Sequence, residues 1–258
     1  MRKTAIGAAL SGALALTALT GGGAQADEVW GGNTTIVDVS VNGGKDIAIG
    51  TQNTVTIKGS VTVSDPDGMD FARWVLWHGT DFFEPDAYSL QAGRTCADID
   101  ATTIKCAITA TIDPQDLPGN SVAGKWYVAV DAYDKGNGGI AVNAYSTVLV
   151  KRYSRLSVNA SPEPVAKGKT ITVTGKLTRA NWESFDYRAY TNQPVKLQFR
   201  KAGTSTYNTV KTVYTNSYGN LKTTVTASAD GYWRYYFPGT TTTASAKATG
   251  DFVDVTGS

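Results

Sequence analysis

Hydrophobic and polar residues alternate with a period of two along most of this chain, the spacing of strands that turn one face to a core. Residues 34–41 and 54–63 alternate cleanly, whereas 71–78 is apolar on both parities, as expected of a strand covered on both faces. Two extended runs share residues 94–112, and 125–134 and 139–150 form a pair joined by Lys135-Gly136-Asn137-Gly138. Turn residues punctuate the runs in Asp65-Pro66-Asp67-Gly68 and Leu117-Pro118-Gly119-Asn120.

Near residues 151–155 the pattern starts afresh. Residues 165–169 read as a turn, 170–177 alternate, and 181–193 form a polar connection that carries aromatics. Further strands are predicted at 194–200, 207–215, 221–227, 232–237 and 252–255, with turns at Asn216-Ser217-Tyr218-Gly219-Asn220 and Ala229-Asp230-Gly231. No segment carries helical periodicity, and Thr, Val, Tyr, Gly and Ser dominate the composition. The fold class is therefore all-β, with two tandem immunoglobulin-like β-sandwich domains at 27–150 and 151–258. No long linker separates them, so their relative motion is expected to be limited.

The first 26 residues depart from this pattern. Met1-Arg2-Lys3 is a short basic head, residues 4–20 an Ala/Leu/Gly-rich apolar run, and Ala24-Gln25-Ala26 a small-x-small cleavage site. That order predicts a cleaved signal peptide at 1–26 and a secreted protein beginning near Asp27. No cysteine follows the apolar run to carry a lipid, and no later stretch approaches the roughly 20 apolar residues of a membrane-spanning helix. In an exported chain the two cysteines, Cys96 and Cys106, predict a disulfide bond that staples a hairpin or loop across a polar turn. On the loop-entropy model a ring of this size contributes about 2–3 kcal/mol. The competing readings of the pair are a metal site and a nucleophilic thiol.

Charge is divided between the two predicted domains. Residues 27–150 hold seven Lys and Arg against sixteen Asp and Glu, a net of −9; residues 151–258 hold fifteen against six, a net of +9. Such asymmetry is a sign of separate partners or of mutual attraction. Lys151, Arg152 and Arg155 open the basic half, which suits an anionic cell-wall polymer, while docking onto the acidic half is the alternative.

The stretches Pro194-Val195-Lys196-Leu197-Gln198-Phe199-Arg200, Leu221-Lys222-Thr223-Thr224-Val225 and Asp230-Gly231-Tyr232-Trp233-Arg234 resemble the Ig-like module of secreted actinobacterial tandem Ig-like proteins. Val75-Leu76-Trp77-His78-Gly79-Thr80 is similar to an N-terminal domain of the same kind of exported protein. The resemblance covers most of the mature chain and implies fold and secretion. It brings no catalytic residues with it.

Enzyme readings run short of parts. The single histidine, His78, sits at the end of a strand, where a satisfied structural role is the expectation, and Glu28, Glu84, Glu163 and Glu183 suggest no acid/base pair by spacing. Calcium is the best-motivated chemistry. Asp65, Asp67 and Asp70 follow one strand, and Asp131, Asp134 and Asn137 close another, so loops at one end of a sandwich could pool oxygen ligands. Asp-Pro-Asp-Gly is equally an ordinary type I turn. Within 232–237 the period of two puts Trp233, Tyr235 and Phe237 on a core face and leaves Tyr232, Arg234 and Tyr236 as an exposed aromatic and cationic stripe, suited to a sugar or a protein partner. Trp74 and Trp77 fall on opposite faces of their strand, so at most one fills the core directly.

These features lead to a secreted, non-enzymatic Ig-like protein that works by binding or adhesion at the cell exterior or cell wall. Its expected partners are a wall polymer, a glycan or an extracellular protein, not nucleic acid. The alternatives are a carbohydrate-binding module, favoured by an open aromatic platform, and a secreted hydrolase, which needs Asp or Glu pairs converging in a cleft.

Overall fold

The computed structural model of the chain describes residues 28–257, so the reading of a signal peptide at 1–26 lies outside the described residues. The first set of strands is β1 (Glu28–Trp30), β2 (Thr35–Val41), β3 (Ile47–Ile49), β4 (Val55–Ser64), β5 (Met69–His78), β6 (Ala87–Tyr88), β7 (Leu90–Asp98), β8 (Thr103–Ile112), β9 (Gly124–Asp134) and β10 (Gly139–Arg152). They form a six-stranded sheet ordered β1-β10-β9-β5-β6, with β3 alongside β10, and a four-stranded sheet ordered β2-β4-β8-β7. Alternation puts Ile104, Cys106, Ile108, Ala110 and Ile112 of β8 on the inner face, opposite Ala72, Trp74 and Leu76 of β5 and Trp126, Val128, Val130 and Ala132 of β9. Trp74 and Trp126 are the largest side chains that these strands place in the core. Gly59 of β4 makes room for the first: a Cβ there would stand 2.9 Å from Trp74 Nε1.

The second set is β11 (Ser154–Leu156), β12 (Asn159–Ser161), β13 (Val165–Ala166), β14 (Thr170–Asn181), β15 (Asp186–Ala189), β16 (Pro194–Lys201), β17 (Asn208–Tyr214), β18 (Asn220–Thr226), β19 (Gly231–Phe237), β20 (Ala246–Lys247), β21 (Asp251–Val253) and β22 (Val255–Thr256). Strand β14 is paired by β11, β12, β15 and β18, and faces a sheet ordered β17-β16-β19-β20 with β21 on β19. Its core holds Ile171, Val173 and Leu177 against Val195, Leu197, Trp233, Tyr235 and Phe237. Here too a glycine admits an aromatic ring, for a Cβ on Gly175 would stand 2.8 Å from the ring of Tyr235, whose hydroxyl donates to the Val173 carbonyl at 2.9 Å. In both sets an early strand pairs parallel with the last one, β3 with β10 and β13 with β22.

The two sets meet over a buried junction. Strand β10 runs without a break into Arg152, whose Nε donates to the Ala180 carbonyl at 2.6 Å while its backbone exchanges bonds with Thr242 and Ala244. Burial first, and the Arg179 guanidinium second, lower the Arg152 side chain to about 10. From the segment 181–193, read from sequence as a polar connection, Trp182 inserts into the core of the first sandwich with no exposed surface. Its indole donates to the Gly50 carbonyl at 2.9 Å, and Asn120 bonds both Asn181 and the Trp182 backbone. The same segment also contains strand β15, which pairs with the end of β14.

Candidate functional site

The outer face of the six-stranded sheet carries a cleft of about 400 Å³. Strand register builds it. In one row, Trp30 of β1 lies opposite Gly139 of β10, Gly139 opposite Tyr133 of β9, and Tyr133 opposite Phe71 of β5. Gly139 is what lets the row close: a Cβ there would stand 2.7 Å from the Trp30 ring, which lies across it to meet Tyr133 at 5.5 Å between centroids. Phe71 continues the row at 5.6 Å from Tyr133 and is capped by the Arg94 guanidinium, 3.7 Å from its centroid.

The next row is polar. Glu28 lies opposite Ala141, Ala141 opposite Asp131, and Asp131 opposite Arg73, whose Nε donates to both carboxylate oxygens at 2.7 and 3.0 Å. Small side chains at Ala129 and Ala141 leave the floor low, and Phe82 and Phe83, from the loop after β5, close the far wall. Phe83 is 75% exposed and Tyr133 45%. Trp77, on the outer face of β5, is covered by Phe82 and stacked on Tyr127, and its indole donates to the Asn143 carbonyl at 2.6 Å. The arrangement presents apolar rings beside a charged, hydrogen-bonding pair, the combination that grips a ligand with one apolar and one polar face.

The six calcium candidates are divided by the fold. Asp131 belongs to the cleft and to Arg73, and Asp70 is exposed in the bulge between Met69 and Phe71. Asp65 and Asp134 instead lie buried at the end of the sandwich, with Asp67 and Asn137 at their rim. The Asp65 carboxylate accepts from Asn33 N, Thr34 Oγ1 and Asp67 N, and Asp134 Oδ1 accepts from Gly136 N and Gly138 N, each at 2.7 Å.

The residues of the second predicted surface share a face of β19 but do not form an open platform. Tyr232, Arg234 and Tyr236 are each half-buried. The Arg200 guanidinium covers Tyr232 at 4.0 Å, Arg234 lies 3.7 Å over Tyr207 and bonds Gln198, and Lys247 sits 5.3 Å from Tyr236. Trp233, Tyr235 and Phe237 face the core, as the alternation requires. His78 is held at the end of β5 by Asp86 Oδ2 at 3.0 Å. Cys96 and Cys106 form a disulfide bond between directly opposed positions of β7 and β8.

No protein-family model matches the chain, and neither does any curated protein. Among solved structures it is similar to the D00-D0 domain of intimin, at 18% identity and a TM-score of 0.29 over 84% of this chain and 99% of that one. The fibronectin(III)-like modules of Clostridium thermocellum CbhA match at 11% identity and a TM-score of 0.32, over 86% of this chain and 93% of that one. The Yersinia pseudotuberculosis adhesin InvE matches at 13% identity and a TM-score of 0.28, over 85% of this chain and 58% of that one. At these TM-scores the likeness is too slight to transfer a role.

Proposed function

We propose that this is an exported, non-enzymatic binding or adhesion protein that engages its partner through the cleft on the outer face of the six-stranded sheet. The observation that carries this reading is the exposed rings of Phe83 and Tyr133 flanking the Arg73–Asp131 pair in a cleft of about 400 Å³. Solvent-exposed aromatics cost little to hold rigid and bury much area on binding, so they concentrate binding energy. The second reading, a carbohydrate-binding module, is favoured by the pairing of rings with the Arg73–Asp131 ion pair, which matches the apolar face and hydroxyl rim of a sugar.

A glycan array and a pull-down from extracellular material with the mature protein test both readings together. Replacing Phe83 by Ala is expected to weaken capture at least tenfold and to leave thermal unfolding within about 0.5 kcal/mol, because that side chain is 75% exposed. Undiminished capture by that variant removes the cleft from the proposal. Glu28 and Asp131 line the same cleft on either side of Ala141, so any captured glycan should also be assayed for cleavage. Turnover that disappears in Glu28→Gln would replace the binding reading with the hydrolase one.

A further inference from the structure

Asp134 is 5% exposed, and its Oδ2 has no hydrogen-bond partner. A buried carboxylate oxygen in that state bears a desolvation cost with nothing to offset it, and such atoms call for a bound group. The space in front of it is built from glycines. The point where a Cβ on Gly32 would sit lies 2.6 Å from Asp134 Oδ2 and 3.2 Å from Asp65 Oδ2. A Cβ on Gly138 would collide with the same Asp134 oxygen and stand 2.9 Å from the Gly31 carbonyl oxygen. One on Gly136 would stand 3.2 Å from Asp67 Oδ2 and 3.4 Å from Asp134 Oδ1. Oxygens from three separate segments thus surround a cradle that any side chain on Gly32 or Gly138 would fill.

We propose that this cradle binds a hard divalent cation of the calcium class, held by Asp134 Oδ2 with Asp65 and the Gly31 carbonyl. Among the described residues no group of three or more His, Cys, Asp or Glu side chains stands ready to hold a metal, so a site here has to draw on backbone oxygens and water as well. Calcium differs in accepting backbone carbonyls and water among six to eight oxygens in flexible geometry, so two buried carboxylates and a carbonyl form a workable nucleus for it. Lys135, on the same turn, lies over Gly68, and no ion pair joins it to Asp65 or Asp134 among the described residues. The cation ties the segment that follows Trp30 to the turns after β4 and β9, and so fixes the strand that supplies one wall of the cleft.

The full mature chain, stripped with EDTA, is titrated with CaCl₂ by calorimetry and melted with and without calcium. Binding is expected at micromolar to millimolar calcium, with a melting temperature raised by roughly 5–10 °C at a hundredfold excess over Kd. Asp134→Asn should abolish both signals, while Asp131→Asn, which alters the Arg73 pair only, should keep them. Calcium-displaceable luminescence of Tb³⁺ bound to the wild-type chain gives a readout that needs no variant, should Asp134→Asn not fold. No binding at 5 mM calcium (about five times the weakest constant of extracellular sites) overturns the proposal. So does a response retained in Asp134→Asn.

Discussion

Asp113, just after β8, accepts hydrogen bonds from Thr54 Oγ1 at 2.5 Å and from Gln115 N at 2.9 Å, and closes the first turn of the loop that follows. The Thr54 hydroxyl first, and the Gln115 N–H second, hold its carboxyl below the ordinary value of 3.8. A carboxyl depressed in the folded state contributes stability that is present above the unfolded value and is lost as pH falls through the folded one. The group is exposed, so its share is under about 1 kcal/mol. Urea midpoints measured between pH 6 and pH 2.5 should fall less steeply below pH 4 for Thr54→Val than for the wild-type chain; identical acid limbs would show that the hydroxyl does not hold the charge. At this scale the sequence is legible where residue type dictates the outcome, as in the Cys96–Cys106 pair across its polar turn. It is silent about Gly32, Gly59, Gly138 and Gly139, because their meaning lies in what approaches them from strands far along the chain.

At the level of elements, period-two alternation locates strands that bury one face and fails for those that bury little. Strand β8 alternates buried and open positions along most of its length, whereas all nine residues of β7 are exposed, and the sequence run was expected to begin at 94 although the strand begins at Leu90. Strand β1, which supplies Trp30 to the cleft, is three residues long and too short for any period to show. An edge strand that buries so little needs another tether, and the disulfide is placed to provide it. Replacing Cys96 and Cys106 together by Ala should cost about 2–3 kcal/mol in denaturant unfolding. Hydrogen exchange should accelerate first at Leu90–Asp98, since local opening follows the least buried element. Exchange that rises evenly over the four-stranded sheet would mean that the bridge supports the whole core and not the edge.

Over the whole molecule, the predicted charge division is real in the sequence, yet it is not what the junction is made of. The ion pairs Arg73–Asp131 and His78–Asp86 fall within the acidic half and Arg188–Asp186 within the basic one; Lys151–Asp46 spans the division in sequence, but Lys151 lies on β10, so that pair belongs to the first sandwich and does not bridge the two. What crosses is Trp182, seated in the first core with its indole on the Gly50 carbonyl, together with the Arg152 side chain on the Ala180 carbonyl and the contacts of Asn120. A polar-looking segment hides this, because one tryptophan among Asn, Glu, Ser and Asp gives no period to read. Strand β10 links the ends, with Gly139 and Ala141 at the cleft and Arg152 in the junction, so the two sandwiches should unfold as one unit. Trp182→Ala removes a fully buried ring and leaves the Gly50 carbonyl without its indole donor, at an expected cost of about 3–5 kcal/mol. Since that ring joins the halves, the loss should appear in calorimetry as a single wild-type transition splitting into two, with the first sandwich melting earlier. The wild-type particle should also keep its radius in small-angle scattering as salt is raised, because an apolar seat is not screened. A variant that melts in one lowered step would place Trp182 as core filling alone, and a wild-type chain that expands in salt would return the junction to charge attraction.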